Sequence, residues 1–346
     1  MSVLSGVSDF FGLDIGTSAI RLVQLRGSGP VKALVKYALT PIDTKLVLSD
    51  AKADQQKVAS IIKELVAQAR VNTKNVTVGL PSQRVFTTVV DIERLSPSEL
   101  AKNIKFQADT LIPTPLDESK IDWALLGDSP VDANKVEVLI SSVANTYVEQ
   151  RLDTLEAIGL NVIAFEPDTI ALARAMTSSD DTAPQVVVDI GTNYSDLVIV
   201  AGGTPKLNRS IPTGSDAIIK AAMQGLGIDD KQAEQFVYKF GLSKDKLEGQ
   251  IYAAIIGTVE TLVSEIEKSI KFYQTRYPNA PITKIVVTGG ASTLPEFPLF
   301  IANKFGINVE IGNAWRNVTF PADKQNELLS VSNHFGVAAG LAERIE

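Results

Sequence analysis

A tetrapeptide repeated in the two halves of the chain constrains the fold most strongly. Asp-Ile-Gly-Thr occupies residues 14–17 and recurs at residues 189–192, each time between two apolar runs. Leu22-Val23 also recurs, as Leu197-Val198, at the same offset. Two apolar runs joined at a glycine-containing turn are typical of a β-hairpin. The repeat therefore predicts two matching hairpins and, with them, two similar lobes.

Helix patterns and strand patterns alternate along the rest of the chain. Apolar residues recur at helical spacing within 54–70 and 147–160, and Ser96 to Glu99 has the composition of a capping box. Strand-like runs at 76–80, 85–92 and 136–143 separate these helices, and three further helices are predicted over 215–277. This alternation predicts an α/β fold rather than a helical bundle.

The residue types present exclude several kinds of chemistry. The 346 residues include no cysteine and one histidine, His334. Thiolate metal sites, disulfide scaffolds and cysteine nucleophiles are excluded, and a Ser-His-Asp triad would have to use His334. The formal net charge of −7 argues against a nucleic-acid partner or an anionic lipid surface. The best apolar stretch, 251–263, is too short to span a bilayer, so a soluble, cytoplasmic protein is expected.

The repeated loops have the residue types of a metal-nucleotide site. Backbone N–H groups beside a glycine can approach an anion, and a threonine adds a hydroxyl donor. The preceding aspartate would repel a phosphate unless Mg²⁺ lies between them. Two such loops facing each other would hold a Mg-nucleotide from both sides. Each loop taken alone is equally compatible with a structural turn.

Two other segments have both a functional and a structural interpretation. The apolar run that ends at Gly289-Gly290 predicts a strand and a turn where a flat group such as adenosine could approach the backbone. The same run could be a plain strand-to-helix turn. Glu166 lies just before a predicted alanine-bearing helix, and could be either an acid near the helix cap or a group that orients water or metal.

The order of these motifs resembles the actin/Hsp70/sugar-kinase superfamily. The two hairpins are similar to its phosphate-1 and phosphate-2 loops, and the segment that starts at Glu166 is similar to connect-1. Residues 288–292 are similar to the adenosine loop and residues 335–342 to connect-2. The resemblance implies an actin-like (ribonuclease H-like) two-lobed ATPase fold, with ATP and Mg²⁺ in the cleft between the lobes.

The resemblance also implies a role for each candidate residue. Asp14 and Asp189 would hold Mg²⁺, mostly through water, and Glu166 would orient the metal or an attacking water. Glu265 and Lys268 could reach the ribose or base, although a solvated ion pair is the simpler explanation of their spacing. The other residues expected to contact the nucleotide are Gly16, Thr17, Ser18, Gly191, Thr192, Asn193, Gly214, Ser215, Gly289, Gly290 and Ala291.

Three segments narrow the resemblance to the PilM family of type IV pilus assembly proteins. These segments are 78–82, 91–100 and 111–116. The family shares with the division protein FtsA a subdomain 1C in place of the 1B of actin. The implied subdomains are 1A (1–83 and 161–183), 1C (84–160), 2A (184–228 and 284–346) and 2B (229–283). Two departures, Gly214-Ser215 and Asn193-Tyr194, favour ATP binding with at most slow hydrolysis.

The family implies a function as a cytoplasmic, ATP-binding scaffold at the inner face of the cell membrane. It would bind the N-terminal cytoplasmic peptide of PilN, a bitopic membrane protein, in a groove of subdomains 1A and 1C, in a nucleotide-modulated way. Membrane association would then be indirect, and a homo-oligomer is compatible with the fold. Two alternatives stay open: a filament-forming division adaptor of the FtsA type, and a small-molecule phosphotransferase of the same superfamily.

Overall fold

In residues 9–178 and 180–345, which the computed structural model describes, helices pack against three β-sheets. Residues 1–8, 179 and 346 of the predicted subdomains lie outside this description. The strands are β1 (Phe11–Ile15), β2 (Ala19–Arg26), β3 (Lys32–Pro41), β4 (Asn75–Leu80), β5 (Val85–Glu93), β6 (Ser119–Asp128), β7 (Lys135–Ala144), β8 (Asn161–Pro167), β9 (Gln185–Ile190), β10 (Ser195–Ala201), β11 (Thr204–Ile211), β12 (Lys284–Thr288), β13 (Asn308–Ile311) and β14 (Val318–Thr319). The α-helices are α1 (Thr44–Leu48), α2 (Lys52–Gln68), α3 (Pro97–Leu111), α4 (Asn145–Glu156), α5 (Asp168–Met176), α6 (Ser215–Leu226), α7 (Asp230–Phe240), α8 (Gln250–Arg276), α9 (Phe297–Phe305), α10 (Gln325–Val331) and α11 (Gly336–Ala342).

Two of the sheets repeat one strand order. The first runs β14-β3-β2-β1-β4-β8 and the second β11-β10-β9-β12-β13. In each, an antiparallel hairpin is extended by a parallel strand, β4 beside β1 and β12 beside β9. The two Asp-Ile-Gly-Thr motifs therefore begin in the last two residues of equivalent central strands. The predicted pair of hairpins is confirmed.

Helices α5 and α11 cross between the two repeated sheets at very short distance. A Cβ added to Gly340 of α11 would lie 1.8 Å from the carbonyl oxygen of Ala171 in α5. Both helices belong to an apolar cluster that also contains Val23 of the first sheet and Val187 of the second. Since interiors are close-packed, this shared core fixes the base of both lobes to the same helix pair.

The third sheet, β5-β7-β6, is a separate antiparallel layer covered by α3. Helix α3 begins at the predicted capping box, where the Ser96 backbone N–H donates to Glu99 Oε2 over 3.2 Å. Helix α4, predicted to belong to the same subdomain, instead buries Leu155 against Val58 and Ile62 in the core of the first lobe. This packing joins α4 to the first lobe.

The carboxyl-terminal part of the chain returns to the first lobe. Strand β14 pairs in parallel with β3, although the predicted subdomain boundaries place it in 2A. Lys32 of β3 is buried and donates through Nζ to the carbonyl oxygens of Ala342 (3.2 Å) and Arg344 (3.0 Å). The lysine thus provides hydrogen-bond donors for carbonyl groups at the carboxyl end of α11. Its positive charge also interacts favourably with the negative end of the helix dipole.

A buried ion cluster connects the third sheet to the second lobe. Glu137 of β7 is 1% exposed and accepts hydrogen bonds from Lys206 of β11 (2.7 Å), Arg276 (2.9 Å) and the Tyr277 hydroxyl. Arg276 also donates to Asp91 of β5 over 2.7 Å. Buried ion pairs therefore join the third sheet to the second lobe. In the described parts of the chain, no helix is long and apolar enough to cross a membrane.

Candidate functional site

Both hairpin turns face a cleft of about 420 Å³ between the lobes. The register of β1 and β2 places Asp14 opposite Arg21, and that of β9 and β10 places Asp189 opposite Asp196. Cross-strand partners share one face of a sheet, so all four side chains can point into the cleft. The predicted site residues that line it are Asp14, Gly16, Thr17, Ser18, Asp189, Gly191, Thr192, Ser215, Gly289 and Gly290.

Gly214 lies behind the second turn rather than in the cleft lining. A Cβ at this position would lie 2.4 Å from the carbonyl oxygen of Thr192 and 2.6 Å from that of Gly191. The next two residues donate backbone hydrogen bonds to the same carbonyls, both at 2.9 Å. Gly214 therefore lets α6 begin against the turn. Asn193 and Ala291 are also outside the lining, and Asn193 Oδ1 is buried without a hydrogen-bond partner among the described residues.

Glu166 is placed away from the cleft. Its carboxylate accepts hydrogen bonds from both terminal nitrogens of Arg174, at 2.9 and 2.6 Å, and lies 3.4 Å from Arg344. Glu265 and Lys268 also lie outside the cleft lining, where they pair with each other at 2.6 Å. The predicted roles of these three residues at the nucleotide therefore have no support in their positions.

Asp168, two residues after Glu166, lines the cleft instead. Burial and the neighbouring charges of Asp14 and Asp196 raise the pKa of Asp168 well above its usual range. Its Oδ1 is buried without a hydrogen-bond partner in the described residues. A Cβ at Gly79 would lie 2.2 Å from this oxygen, so that glycine makes room for the carboxylate. Asp168 therefore adds a further carboxyl group to the lining of the cleft.

The aspartates of the cleft have pKa values raised by their surroundings. Burial, with the charges of Asp196 and Asp14, raises the pKa of Asp189 to about 7. Burial also raises the pKa of Asp196 to about 6, although hydrogen bonds, led by that of Ser210, oppose it. The pKa of Asp14 is raised by burial, against the opposing charge of Arg21, whose Nη1 lies 3.3 Å from Asp14 Oδ2.

The side of the cleft that faces the second lobe is formed by one face of α7 and the turn after β12. Asp230, Glu234 and Tyr238 lie four residues apart on α7 and all line the cleft. Gly289 has φ of +84°, and its N–H donates to the carbonyl oxygen of Asn333 over 2.8 Å. Asn333 Nδ2 donates back to the carbonyl of Gly289 over 2.9 Å, which fixes the turn.

Charge in the cleft is predominantly negative. Among the described lining residues, Arg21 is the one Lys or Arg, whereas the acidic ones are Asp14, Asp168, Asp189, Asp196, Asp216, Asp230 and Glu234. Burial first, and then the charge of Arg21, lower the pKa of His334, so this histidine adds no charge at neutral pH. A bare polyphosphate would be repelled by this lining, and a divalent cation would remove the repulsion.

The oxygen donors of the cleft suit Mg²⁺ held through water. Mg²⁺ prefers carboxylate oxygens and keeps several of its waters in protein sites. No group of three or more His, Asp or Glu in the described residues is close enough to hold a metal directly. Asp14 and Asp189 lie on opposite sides of the cleft, where each could accept a hydrogen bond from metal-bound water.

A second, largely apolar groove of about 530 Å³ lies where the first lobe, the third sheet and the β10–β11 hairpin meet. The first lobe contributes Phe165 and Ile170, and the edge strand β6 contributes Trp123 and Leu125. Thr204 and Pro205, at the tip of the β10–β11 hairpin, reach the groove from the second lobe. The groove therefore has walls from three parts of the molecule.

These lobes, with their repeated strand order and the cleft between them, define an actin-like fold. The chain is similar to EutJ, an ethanolamine utilization protein from Carboxydothermus hydrogenoformans, at 16% identity and a TM-score of 0.60, covering 96% of this chain and 88% of that one. It is also similar to MreB5 of Spiroplasma citri bound to ADP, at 12% identity and a TM-score of 0.55, covering 96% and 95%. The predicted fold class is confirmed.

The family follows from a match over nearly the whole chain. The chain belongs to the family of the type IV pilus assembly protein PilM, whose sequence profile matches residues 12–346. It is 25% identical to the corresponding chain of a solved PilM-PilN type IV pilus biogenesis complex, with a TM-score of 0.81 and coverage of 96% of this chain and 97% of that one. The family resemblance of the sequence motifs is thereby confirmed.

Two side chains of the cleft that sequence reasoning missed follow from the repeat itself. Arg21 and Asp196 occupy the same offset after the aspartate of each repeated motif, and each faces that aspartate across its hairpin. Extending the repeat by hairpin register would have found both. Asp168 and the face of α7 gave no such signal, because their position depends on how helices meet the cleft.

Proposed function

We propose that this protein is an ATP-binding scaffold of type IV pilus assembly that binds the N-terminal cytoplasmic peptide of PilN, with nucleotide modulating that binding. One observation carries the proposal: a single hairpin contributes to both sites. Asp196 of β10 lines the cleft, and Thr204 and Pro205 at the far end of the same hairpin line the apolar groove. A shift of the second lobe on nucleotide binding would therefore reshape the groove.

The cleft is the proposed site of ATP and Mg²⁺. The turns 16–18 and 191–192 would bind the phosphates, and the turn at Gly289 and Gly290 would receive the adenosine beside Tyr238. Asp14 and Asp189 would hold the metal through water. Asp168 takes the orienting role that the sequence motif suggested for Glu166, because it is the carboxylate of that segment that lines the cleft. Mg²⁺, when bound, supplies the positive charge that the lining lacks.

The groove is the proposed site of the PilN peptide. Its wall includes β6, an edge strand of the third sheet, and Trp123 and Leu125 of that strand are 37% and 55% exposed. An extended peptide can bind such a wall through its apolar side chains and the free edge of the strand. Because PilN is a bitopic membrane protein, binding its cytoplasmic end would hold the scaffold at the inner face of the membrane.

Asp189→Asn is predicted to stabilise the free protein and to abolish its response to Mg-ATP. The folded pKa of about 7 is above the unfolded value near ~3.9. The contribution of this carboxyl to stability is thus greatest below pH ~4 and is lost as the pH rises through 7. At pH 8, where the carboxylate is ionised in both states, the variant should gain up to about 4 kcal/mol, because each unit of pKa shift corresponds to about 1.4 kcal/mol. The wild type alone should gain about 2.7 kcal/mol at a hundredfold excess of Mg-ATP over its Kd.

Thermal unfolding with and without Mg-ATP, from pH 4 to pH 8, measures both effects. Glu265→Gln is the matched control, because Glu265 lies outside the cleft lining and this variant should respond to Mg-ATP like the wild type. A normal Mg-ATP response in Asp189→Asn would contradict the metal site. Mg-ATP-dependent filaments in electron micrographs would instead favour a division adaptor of the FtsA type.

Trp123→Ala is predicted to weaken binding of a synthetic PilN N-terminal peptide at least tenfold. An aromatic side chain at the centre of an apolar groove typically contributes about 1–3 kcal/mol or more to binding. Fluorescence anisotropy of the labelled peptide, with and without Mg-ATP, measures the affinity. The control is Phe106→Ala, which removes a 71% exposed ring on α3 of the same subdomain, outside the groove. Equal losses in both variants would place the peptide elsewhere.

A further inference from the structure

A side chamber of about 290 Å³ adjoins the phosphate end of the cleft. It shares Thr17, Gln83 and Tyr194 with the cleft, so the two spaces meet at the tips of both repeated hairpins. Beyond this boundary the chamber is lined by Arg84 and Arg151. No acidic side chain lines the chamber among the described residues. Two adjoining spaces therefore have opposite charge.

Arg151 is a buried cation without a carboxylate partner. Its side chain belongs to α4, the residue is 7% exposed, and no Asp or Glu of the described chain lies within salt-bridge distance. Its Nε donates to the Tyr147 hydroxyl over 3.3 Å and its Nη1 to Gln55 Oε1 over 3.1 Å. The other N–H groups of the guanidinium have no acceptor in the described residues. Buried charges in proteins are normally paired, so this one points to a missing anion.

Arg84 completes a second wall of the chamber. Its guanidinium lies 5.3 Å from the centre of the Tyr147 ring, and that of Arg151 lies 5.5 Å from the same ring. The nearest carboxylate to Arg84 is that of Asp50, at 3.4 Å and largely exposed to solvent. Both guanidinium groups therefore make cation-π contacts with the Tyr147 ring, and both line the side chamber. Planar guanidinium groups present paired N–H donors that match the oxygens of a tetrahedral oxyanion.

We propose that the side chamber binds a tetrahedral oxyanion of the phosphate class through Arg84 and Arg151. The chemistry suits two sources, free inorganic phosphate or the terminal phosphate of a bound nucleotide, because the chamber opens onto the phosphate end of the cleft. The inference depends on the two arginines and not on the metal-binding aspartates. Anion binding in the chamber can therefore be measured without nucleotide or Mg²⁺.

The test compares the wild type with Arg151→Gln and Arg94→Gln. Thermal unfolding is followed in sodium phosphate and in sodium chloride at equal ionic strength, and calorimetric titration with inorganic phosphate gives the affinity. Arg94 is an exposed arginine just after β5 of the third sheet, so its loss reports general effects of charge and salt. We expect Arg151→Gln to bind phosphate at least tenfold more weakly, to lose the phosphate-specific rise in Tm, and to be no less stable in chloride.

Two further arms identify the source of the anion and separate this inference from nucleotide binding. Competition by a non-hydrolysable triphosphate, but not by ADP, would assign the chamber to the terminal phosphate, whereas no competition by either would assign it to free phosphate. Asp189→Asn should keep its phosphate response even if it loses the Mg-ATP response. The same phosphate-dependent Tm rise in wild type, Arg151→Gln and Arg94→Gln would show a general salt effect only and overturn the proposal.

Discussion

Gly340→Ala is expected to cost the protein about 3 kcal/mol or more of its free energy of unfolding. The added Cβ would lie 1.8 Å from the carbonyl oxygen of Ala171, a backbone atom of the neighbouring helix. The clash is relieved only if α5 and α11 move apart, which opens the core shared by both lobes. Urea unfolding followed by circular dichroism measures the loss as a lower midpoint.

Gly257→Ala is the matched control for this variant. Gly257 lies within α8, and a Cβ added there meets no other atom within 4 Å. The same substitution should therefore stabilise the protein by about 0.5–1 kcal/mol, because alanine is a better helix former than glycine. If Gly340→Ala matched this gain, the close crossing of α5 and α11 would be wrong.

Glu137→Ala is expected to cost about 3–5 kcal/mol. The substitution leaves Lys206, which is 13% exposed, without its carboxylate partner, and leaves Arg276, which is 26% exposed, with Asp91 alone. Removing one member of a buried ion cluster leaves an uncompensated charge, which is more costly than losing the whole cluster. Urea unfolding again gives the loss. Glu93→Ala, which removes an exposed partner of Lys135 on the same sheet, should cost below about 1 kcal/mol.

The pH dependence of this cluster is opposite in sign to that of the cleft. Burial raises the pKa of Glu137, but hydrogen bonds from Lys206, Tyr277 and Arg276 outweigh burial, and the net pKa is lowered. A lowered folded pKa gives stability that is present above the unfolded pKa, near ~4.3, and is lost as the pH falls through the folded value. Wild type and Glu137→Ala should therefore converge in stability in acid. A constant difference down to acid unfolding would show that packing, not charge, explains the loss.

The repeated motif predicted more of the fold than any other sequence feature, because each of its two copies specifies the same local structure. Each copy specifies a strand, a tight turn and a returning strand, and these became the central hairpins of the two matching sheets. Helices α2 and α8 were also predicted, since one face of each is apolar at helical spacing, and α3 was predicted from its capping box. Strand β6 was missed, because most of it is solvent-exposed and its sequence does not alternate.

The candidate site was predictable where it depends on local turns and not where it depends on packing between elements. The glycine and threonine of each turn lie in the cleft as their motif indicated. Glu166 and Asp168 are two residues apart at a strand-to-helix junction. Glu166 accepts hydrogen bonds from Arg174 and lies outside the cleft lining, whereas Asp168 is part of that lining. A linear pattern does not specify which of two nearby carboxylates a folded arginine will pair with.

In the proposed function, the β10–β11 hairpin couples the nucleotide cleft to the peptide groove. From Asp196 to its tip it extends about 20 Å, so a rotation of about 5° at the cleft moves Thr204 and Pro205 by roughly 2 Å. Free-energy coupling of this kind is reciprocal: a nucleotide that changes peptide affinity by some factor has its own affinity changed by the same factor. Binding of the PilN peptide would then change the affinity of the scaffold for its nucleotide. The fraction of scaffold that carries nucleotide would therefore depend on whether the peptide is bound.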